Sequence, residues 1–249
     1  DEKEQAINGA ISYLGVAVIS GMILLMGLFM LHNQVGSVSF DAIKTHYLNN
    51  EIGTVDFVTG LLIMFGFGAK AGAFPLQIWL PKAHPVAPAP ASALLSGILT
   101  KTGIFGVLVI SCQILLHDAT WGAIILVIGM ITMFLGALLA VFSIDFKRTL
   151  ACSSVSQIGF ILVGVGMQGL LGEHNEIAIR GTVLHMVNHS LFKLVLFMVA
   201  GVIYMNIHKL DLNEIRGFGR KKPLLAFIYL MGALGIGGIP LWSGYISKT

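Results

Sequence analysis

Six side chains in this sequence are placed to take up and pass on protons in apolar surroundings: Lys70, Lys101, His185, His189, Lys193 and Lys248. Three of them form a file. In HMVNHSLFKLVLF, His185, His189 and Lys193 recur at steps of four. On a helix they share one face, drifting about 40° and rising about 6 Å per step. That spacing suits proton hopping through bridging water. Lys70 and Lys101 flank a proline-rich stretch, in GFGAKAGAFP and GILTKTGIFG, and Lys248 follows a second interruption, GIGGIP at 235–240. An ionisable group in hydrocarbon costs about 3 kcal/mol on insertion scales, so it marks a function by default. The chemistry is proton transfer among amines and imidazoles, with burial and nearby charge setting which form is held.

Each candidate has a structural alternative. A membrane histidine can simply hydrogen-bond a neighbouring helix, and a lysine near a span end can snorkel to the interface. Lys70 has that route if its broken helix admits water. Lys101 lies about 15 Å of helix from either end of its span, beyond a lysine's reach, so it must face a bundle interior or a wet cavity. His84 reads as a loop residue near the cytoplasmic mouth, a relay role being the alternative. Ser153, Ser154, Ser156 and Gln157 read as interhelical hydrogen bonders that can also hold water beside the relay.

Other chemistries fall away on sequence grounds. A zinc peptidase would need a glutamate directly after the first histidine of HxxxH, and Met186 stands there. Gly164–Gly169 spells GxGxxG but sits in an apolar span with no strand before it, so close helix packing explains it better. Cys112 and Cys152 lack metal-ligand spacing. No metal, redox cofactor or nucleic-acid site is expected in this chain.

The elements that must position these groups follow from composition. Of 249 residues 56% are hydrophobic and only 11% charged, where a soluble domain carries about a quarter; the mean hydropathy is +0.87. The expected fold is all-α, a polytopic transmembrane helix bundle in a lipid bilayer. About seven spans are expected, at 7–31, 57–80, 91–112, 121–143, 149–170, 178–206 and 223–249. Two are discontinuous, at 72–75 and near 237–240, and a proline-rich loop from Pro81 to Pro90 joins the second span to the third. Phe40–Leu48 is expected to form a short interfacial helix.

Alternation of the spans gathers Lys3, Lys82, Lys147, Arg148, Lys209, Arg216, Arg220, Lys221 and Lys222 on the side of residue 1, and leaves Lys44 and Arg180 on the other. The positive-inside rule makes the first side cytoplasmic. All twelve acids fall in loops or at span edges. The deep lysines therefore lack a carboxylate within this chain, and are either largely neutral or paired from another segment or subunit. Five spans separate the two interrupted helices, which opposes their orientation, as in inverted-topology repeats. A polar start and an apolar end read as one membrane domain over 1–249, cut from a longer subunit, with the repeat boundary near 113–120.

AKAGAFPLQIWLPKAHPVAPAPASALLSG, GILTKTGIFG, DFKRTLACSSVSQIGF, HMVNHSLFKLVLF and GIPLWSGYISK together resemble the antiporter-like subunits of respiratory complex I, membrane-bound hydrogenases and multisubunit sodium/proton antiporters. The resemblance covers nearly the whole chain and implies the central portion of a fold of about fourteen helices with two inverted five-helix repeats. It assigns Lys70 to the lysine of the first broken helix, Lys101 to the central lysine of the next, and His189 and Lys193 to the connecting channel. Lys248 becomes the lysine of the second broken helix, and a glutamate on a helix before the first span becomes the partner of Lys70.

The function expected is therefore proton translocation by a membrane subunit of a complex I or hydrogenase-type assembly in a prokaryotic cytoplasmic membrane. Redox work falls to partner subunits. The alternatives are a subunit of a sodium/proton antiporter, moving Na+ as well as protons, and a non-pumping structural subunit of a membrane arm.

Overall fold

The structure is a computed structural model that describes residues 2–115 and 118–248. The repeat boundary expected near 113–120 includes residues 116 and 117, which lie outside the described residues, as do residue 1 and the side chain of Lys3.

The described residues are mostly helix, joined by short non-helical links: α1 (Glu2–Val35), α2 (Phe40–Asn49), α3 (Thr54–Ala71), α4 (Trp79–Val86), α5 (Ala89–Leu94) and α6 (Thr100–Gln113). These are followed by α7 (Ala119–Val141), α8 (Phe146–Leu171), α9 (Glu176–Ile207), α10 (Phe218–Lys221), α11 (Pro223–Gly237) and α12 (Ser243–Ile246). A π-helical turn, Leu95–Leu99, joins α5 to α6 without a break. Six helical segments are long and apolar enough to cross a membrane, the third running unbroken over Ala89–Gln113. The seventh apolar segment is divided, and its first part, α11, is a shorter helix of 15 residues.

Helices α2, α7 and α8 start where a short polar side chain holds a free N–H group. Asp118 accepts from the Trp121 amide at 2.9 Å and Asp145 from that of Arg148 at 2.7 Å. The two interruptions share one device. Gly72 (φ 83°, ψ 35°) ends α3 and Gly238 (φ 74°, ψ 37°) ends α11, both left-handed, which glycine alone adopts without cost. In each case the next residue turns its amide back, Ala73 to Gly68 at 2.9 Å and Ile239 to Leu234 at 3.4 Å. Pro75 and Pro240 then prevent the helix from resuming at once.

Beyond the first break the chain departs from the expected loop. Trp79–Val86 is helix, and only Ala87 and Pro88 separate it from α5. Pro81 falls in the first turn, where no N–H is needed, and Pro85 is the next-to-last residue of the helix, so neither prevents it.

Glycines draw the central helices together. A Cβ on Gly159 of α8 would lie 2.2 Å from the Met133 amide nitrogen of α7, and one on Gly136 2.3 Å from that of Ser156. In GxGxxG, a Cβ on Gly166 would lie 2.6 Å from the Leu126 nitrogen, so this motif is a packing seam. Gly103 of α6 abuts the backbone of α3 at Phe67 and Ala71 in the same way. The expected short helix is present as α2, with Ile43 and Tyr47 buried against the core and the Tyr47 hydroxyl donating to Asp56 at 3.0 Å.

Candidate functional site

The π-helical turn is what places Lys101. Widening the turn by one residue releases carbonyls from the i→i−4 ladder, and the Ser96 carbonyl accepts both from the Lys101 amine at 2.5 Å and from the Thr100 hydroxyl at 3.1 Å. Lys101 is 8% exposed. On the same turn the Ser96 hydroxyl meets that of Ser154 on α8 at 2.7 Å, and Ser154 also donates to the Leu150 carbonyl at 3.0 Å. Gly97 lets α9 close on this turn, since a Cβ there would lie 2.9 Å from Leu194.

On α9, His185, His189 and Lys193 are all buried, as their spacing requires. The Lys193 amine donates to the Leu150 carbonyl at 2.7 Å and to the Ser153 hydroxyl at 2.6 Å. Leu150 thus receives hydrogen bonds from Ser154 and Lys193, which links the Lys101 turn to the file on α9. His185 lies between two helices, with Nε2 3.0 Å from Gln157 Oε1 and Nδ1 3.0 Å from Ser247 Oγ. His189 is 0% exposed and neither ring nitrogen has a hydrogen-bond partner among the described residues. Lys101, Lys193 and Lys248 lie close enough to it to interact electrostatically.

Lys248 sits across the second break, its amine donating to the Ile236 carbonyl at 2.7 Å and lying 5.8 Å from the Phe160 ring centre. At the first break the corresponding service is done by Trp79, whose indole N–H donates to the Ala69 carbonyl at 2.8 Å. Lys70 is exposed and stands apart from the buried cluster. It lines a cavity of about 270 Å³ against α1, with Tyr13, Ser20 and Trp79.

His84 is not the loop residue expected. It lies on α4, fully buried, with its ring stacked on Phe197 of α9 at 4.7 Å and neither nitrogen hydrogen-bonded among the described residues. The physical reason is that α4 folds back into the bundle after the first break.

Lys147, read from sequence as one cation of a loop, is 5% exposed; its amine donates to the Ala87 carbonyl at 2.8 Å and lies 5.7 Å from the centre of the Tyr204 ring. Ser96 and Ser247 had no sequence signal of their own, because each matters only through a partner on another helix. Ser153, Ser154 and Gln157 make the interhelical contacts their types allow. The ion pairs among the described residues are Arg180–Glu176 and Lys209–Glu214, both exposed. The amines of Lys101 and Lys193 are held by carbonyls and hydroxyls, and no carboxylate is ion-paired with them among the described residues. Such a cluster can accept and release protons, with water needed wherever two groups stand farther apart than a hydrogen bond.

The whole chain, residues 1–249, matches the family described as NADH:quinone oxidoreductase/Mrp antiporter, TM. It is 37% identical over 256 residues to hydrogenase-4 component B of Escherichia coli, covering 99% of this chain and 38% of that protein. It is 30% identical over 243 residues to a Na(+)/H(+) antiporter subunit of Alkalihalophilus pseudofirmus, covering 97% and 48%. A chain in the structure of the Mrp complex from Dietzia sp. superposes with a TM-score of 0.88 at 26% identity, over 97% of this chain and 44% of that one. This chain therefore spans less than half the length of these relatives.

Proposed function

The chain belongs to the NADH:quinone oxidoreductase/Mrp antiporter transmembrane family, and on that footing we propose that it is the central, proton-conducting portion of an antiporter-like subunit. It is a multi-pass integral membrane protein. The observation that carries the proposal is the joint burial of Lys101, His185, His189 and Lys193 with no carboxylate paired to any of them among the described residues. A buried, uncompensated charge is costly, and each of these groups has a neutral form. A proton is then held only while a favourable charge stands nearby, and moves on when that charge moves.

In this reading protons pass among Lys101, His189, His185 and Lys193 at mid-membrane, with Lys70 and Lys248 serving the two half-channels. His84, buried against Phe197, is a side branch of the same relay. The two breaks belong to two inverted repeats meeting near 113–120 within one membrane domain over 1–249, a reading supported by the matching caps at Gly72 and Gly238. The subunit works in a prokaryotic cytoplasmic membrane, residue 1 facing the cytoplasm, beside other membrane subunits of a hydrogenase or quinone-reductase assembly that carry the redox chemistry.

The second reading is sodium/proton exchange, favoured by the likeness to an antiporter subunit. Sodium, a hard cation, prefers a cage of oxygen ligands, whereas the buried cluster is rich in amines and imidazoles. Proton uptake into vesicles by the intact assembly, measured with and without sodium, separates the two. Uptake independent of sodium is expected; an absolute sodium requirement would favour exchange.

A further inference from the structure

His185 is held on both ring nitrogens by side chains of other helices, and only one of these can change its part. Gln157 presents a carbonyl oxygen to Nε2 at 3.0 Å, and a carbonyl only accepts. With the Gln157 amide in this orientation Nε2 carries the hydrogen of the neutral ring, whose lone pair then lies on Nδ1. Ser247 Oγ, 3.0 Å from Nδ1, has one hydrogen and two places to put it, Nδ1 itself or the Gly244 carbonyl at 3.1 Å. With the ring neutral, the hydroxyl donates to Nδ1. Once a proton arrives on Nδ1, that N–H donates to Ser247 Oγ, and the serine hydrogen turns to Gly244. No covalent bond of the serine breaks, and the ring is fully hydrogen-bonded in both states.

Ser247 and Gly244 lie in the segment beyond the second break. Gly244 rests directly on the near side, since a Cβ there would lie 1.8 Å from the Gly235 carbonyl oxygen. Asn188, one turn along α9, donates to the Ser243 carbonyl at 2.9 Å, so the histidine face of α9 grips this segment at two points. The next residue is Lys248, whose amine holds the Ile236 carbonyl across the break. The other groups facing His185 are His189, stacked at 6.2 Å, and Phe160, edge-on at 4.9 Å, with Lys248 and Lys101 the charges within electrostatic reach.

We propose that Ser247 is a positioning residue that reads the protonation state of His185 and passes it to the broken helix bearing Lys248. A charged ring makes the stronger, charge-assisted bond to Ser247 and sends the serine hydrogen to Gly244, fastening the segment to α9. A neutral ring releases Gly244 and loosens it. The inference rests on the relay reading for its use, but its geometry does not.

The test is nitrogen-15 solid-state NMR of histidine-labelled full-length subunit in its assembly, in lipid vesicles across a pH series, with the His185 signals identified by their loss in His185→Gln. Wild type should show a neutral ring protonated on Nε2 and a charged form at lower pH. A charge-assisted bond is about twice as strong as a neutral one, so Ser247→Ala should lower the ratio of charged to neutral ring about tenfold at fixed pH. Ser247→Thr, which keeps the hydroxyl, should restore that ratio. If Ser247→Ala does not assemble, Ser247→Cys, a weak hydrogen bonder, should show the same fall. A neutral ring protonated on Nδ1, a wild-type ring that never charges, or an unchanged ratio without the hydroxyl would overturn the proposal. Proton uptake unaffected by His185→Gln would instead remove the relay and leave the Ser247 switch standing.

Discussion

The rings of His185 and His189 lie 6.2 Å apart and within 5° of parallel, one turn apart on α9. That is too far for a direct hydrogen bond, so a proton crossing between them needs a water, and His189 offers two nitrogens with no other partner among the described residues. His189→Phe keeps a ring of similar size and removes the nitrogens that would hold that water. Replacing a polar group and its partner by an apolar group of the same shape is close to neutral, so stability should change by about 1 kcal/mol or less, while most proton uptake is lost. Thermal unfolding and vesicle uptake of the same preparation check both halves.

The Ser96–Ser154 pair should behave as a unit. Ser154→Ala leaves the Ser96 hydroxyl buried without its 2.7 Å partner and should cost about 1–3 kcal/mol. Adding Ser96→Ala should cost less than the sum of the single changes, because the stranded hydroxyl goes with it. Thermal stability of the three variants, closed as a double-mutant cycle, measures the coupling.

Much of this was legible in the sequence. The four-residue step put His185, His189 and Lys193 on one buried face, and glycine followed by proline marked both breaks. The position of Lys101 far from both span ends required an inward orientation, which the structure has. His84 was hidden because proline density reads as loop, although Pro81 in a first turn and Pro85 near a helix end are both compatible with helix. Lys147 looked like a solvated loop cation because its acceptor, the Ala87 carbonyl, lies 60 positions away in the chain. The π-helical turn had no signal in the sequence either, since Leu95–Leu99 reads as ordinary apolar helix.

The α7–α8 seam should tolerate no side chain. Gly159→Ala places a methyl 2.2 Å from a backbone nitrogen and should destabilise by about 3 kcal/mol or more, at the upper end of overpacking costs. Gly15→Ala meets nothing within 4 Å and should be neutral or slightly stabilising. Unfolding temperatures in detergent distinguish the two.

Lys147 fastens the link between α4 and α5. Lys147→Met keeps the aliphatic stem but strands the Ala87 carbonyl, and should lower stability by about 1–3 kcal/mol. Limited proteolysis should then cut near Ala87–Pro88, where the wild type resists.

The most direct test of the account is proton uptake by the intact assembly in vesicles with Lys101 replaced, normalised to assembled complex. A mid-span amine opposes insertion by about 3 kcal/mol, so Lys101→Ala should assemble normally yet lose most uptake. Lys101→Arg should fare no better, because a guanidinium stays protonated, while Lys101→His should recover part of it. Wild-type uptake in both the alanine and arginine variants would contradict a relay through Lys101 and leave the chain a structural element of its membrane arm.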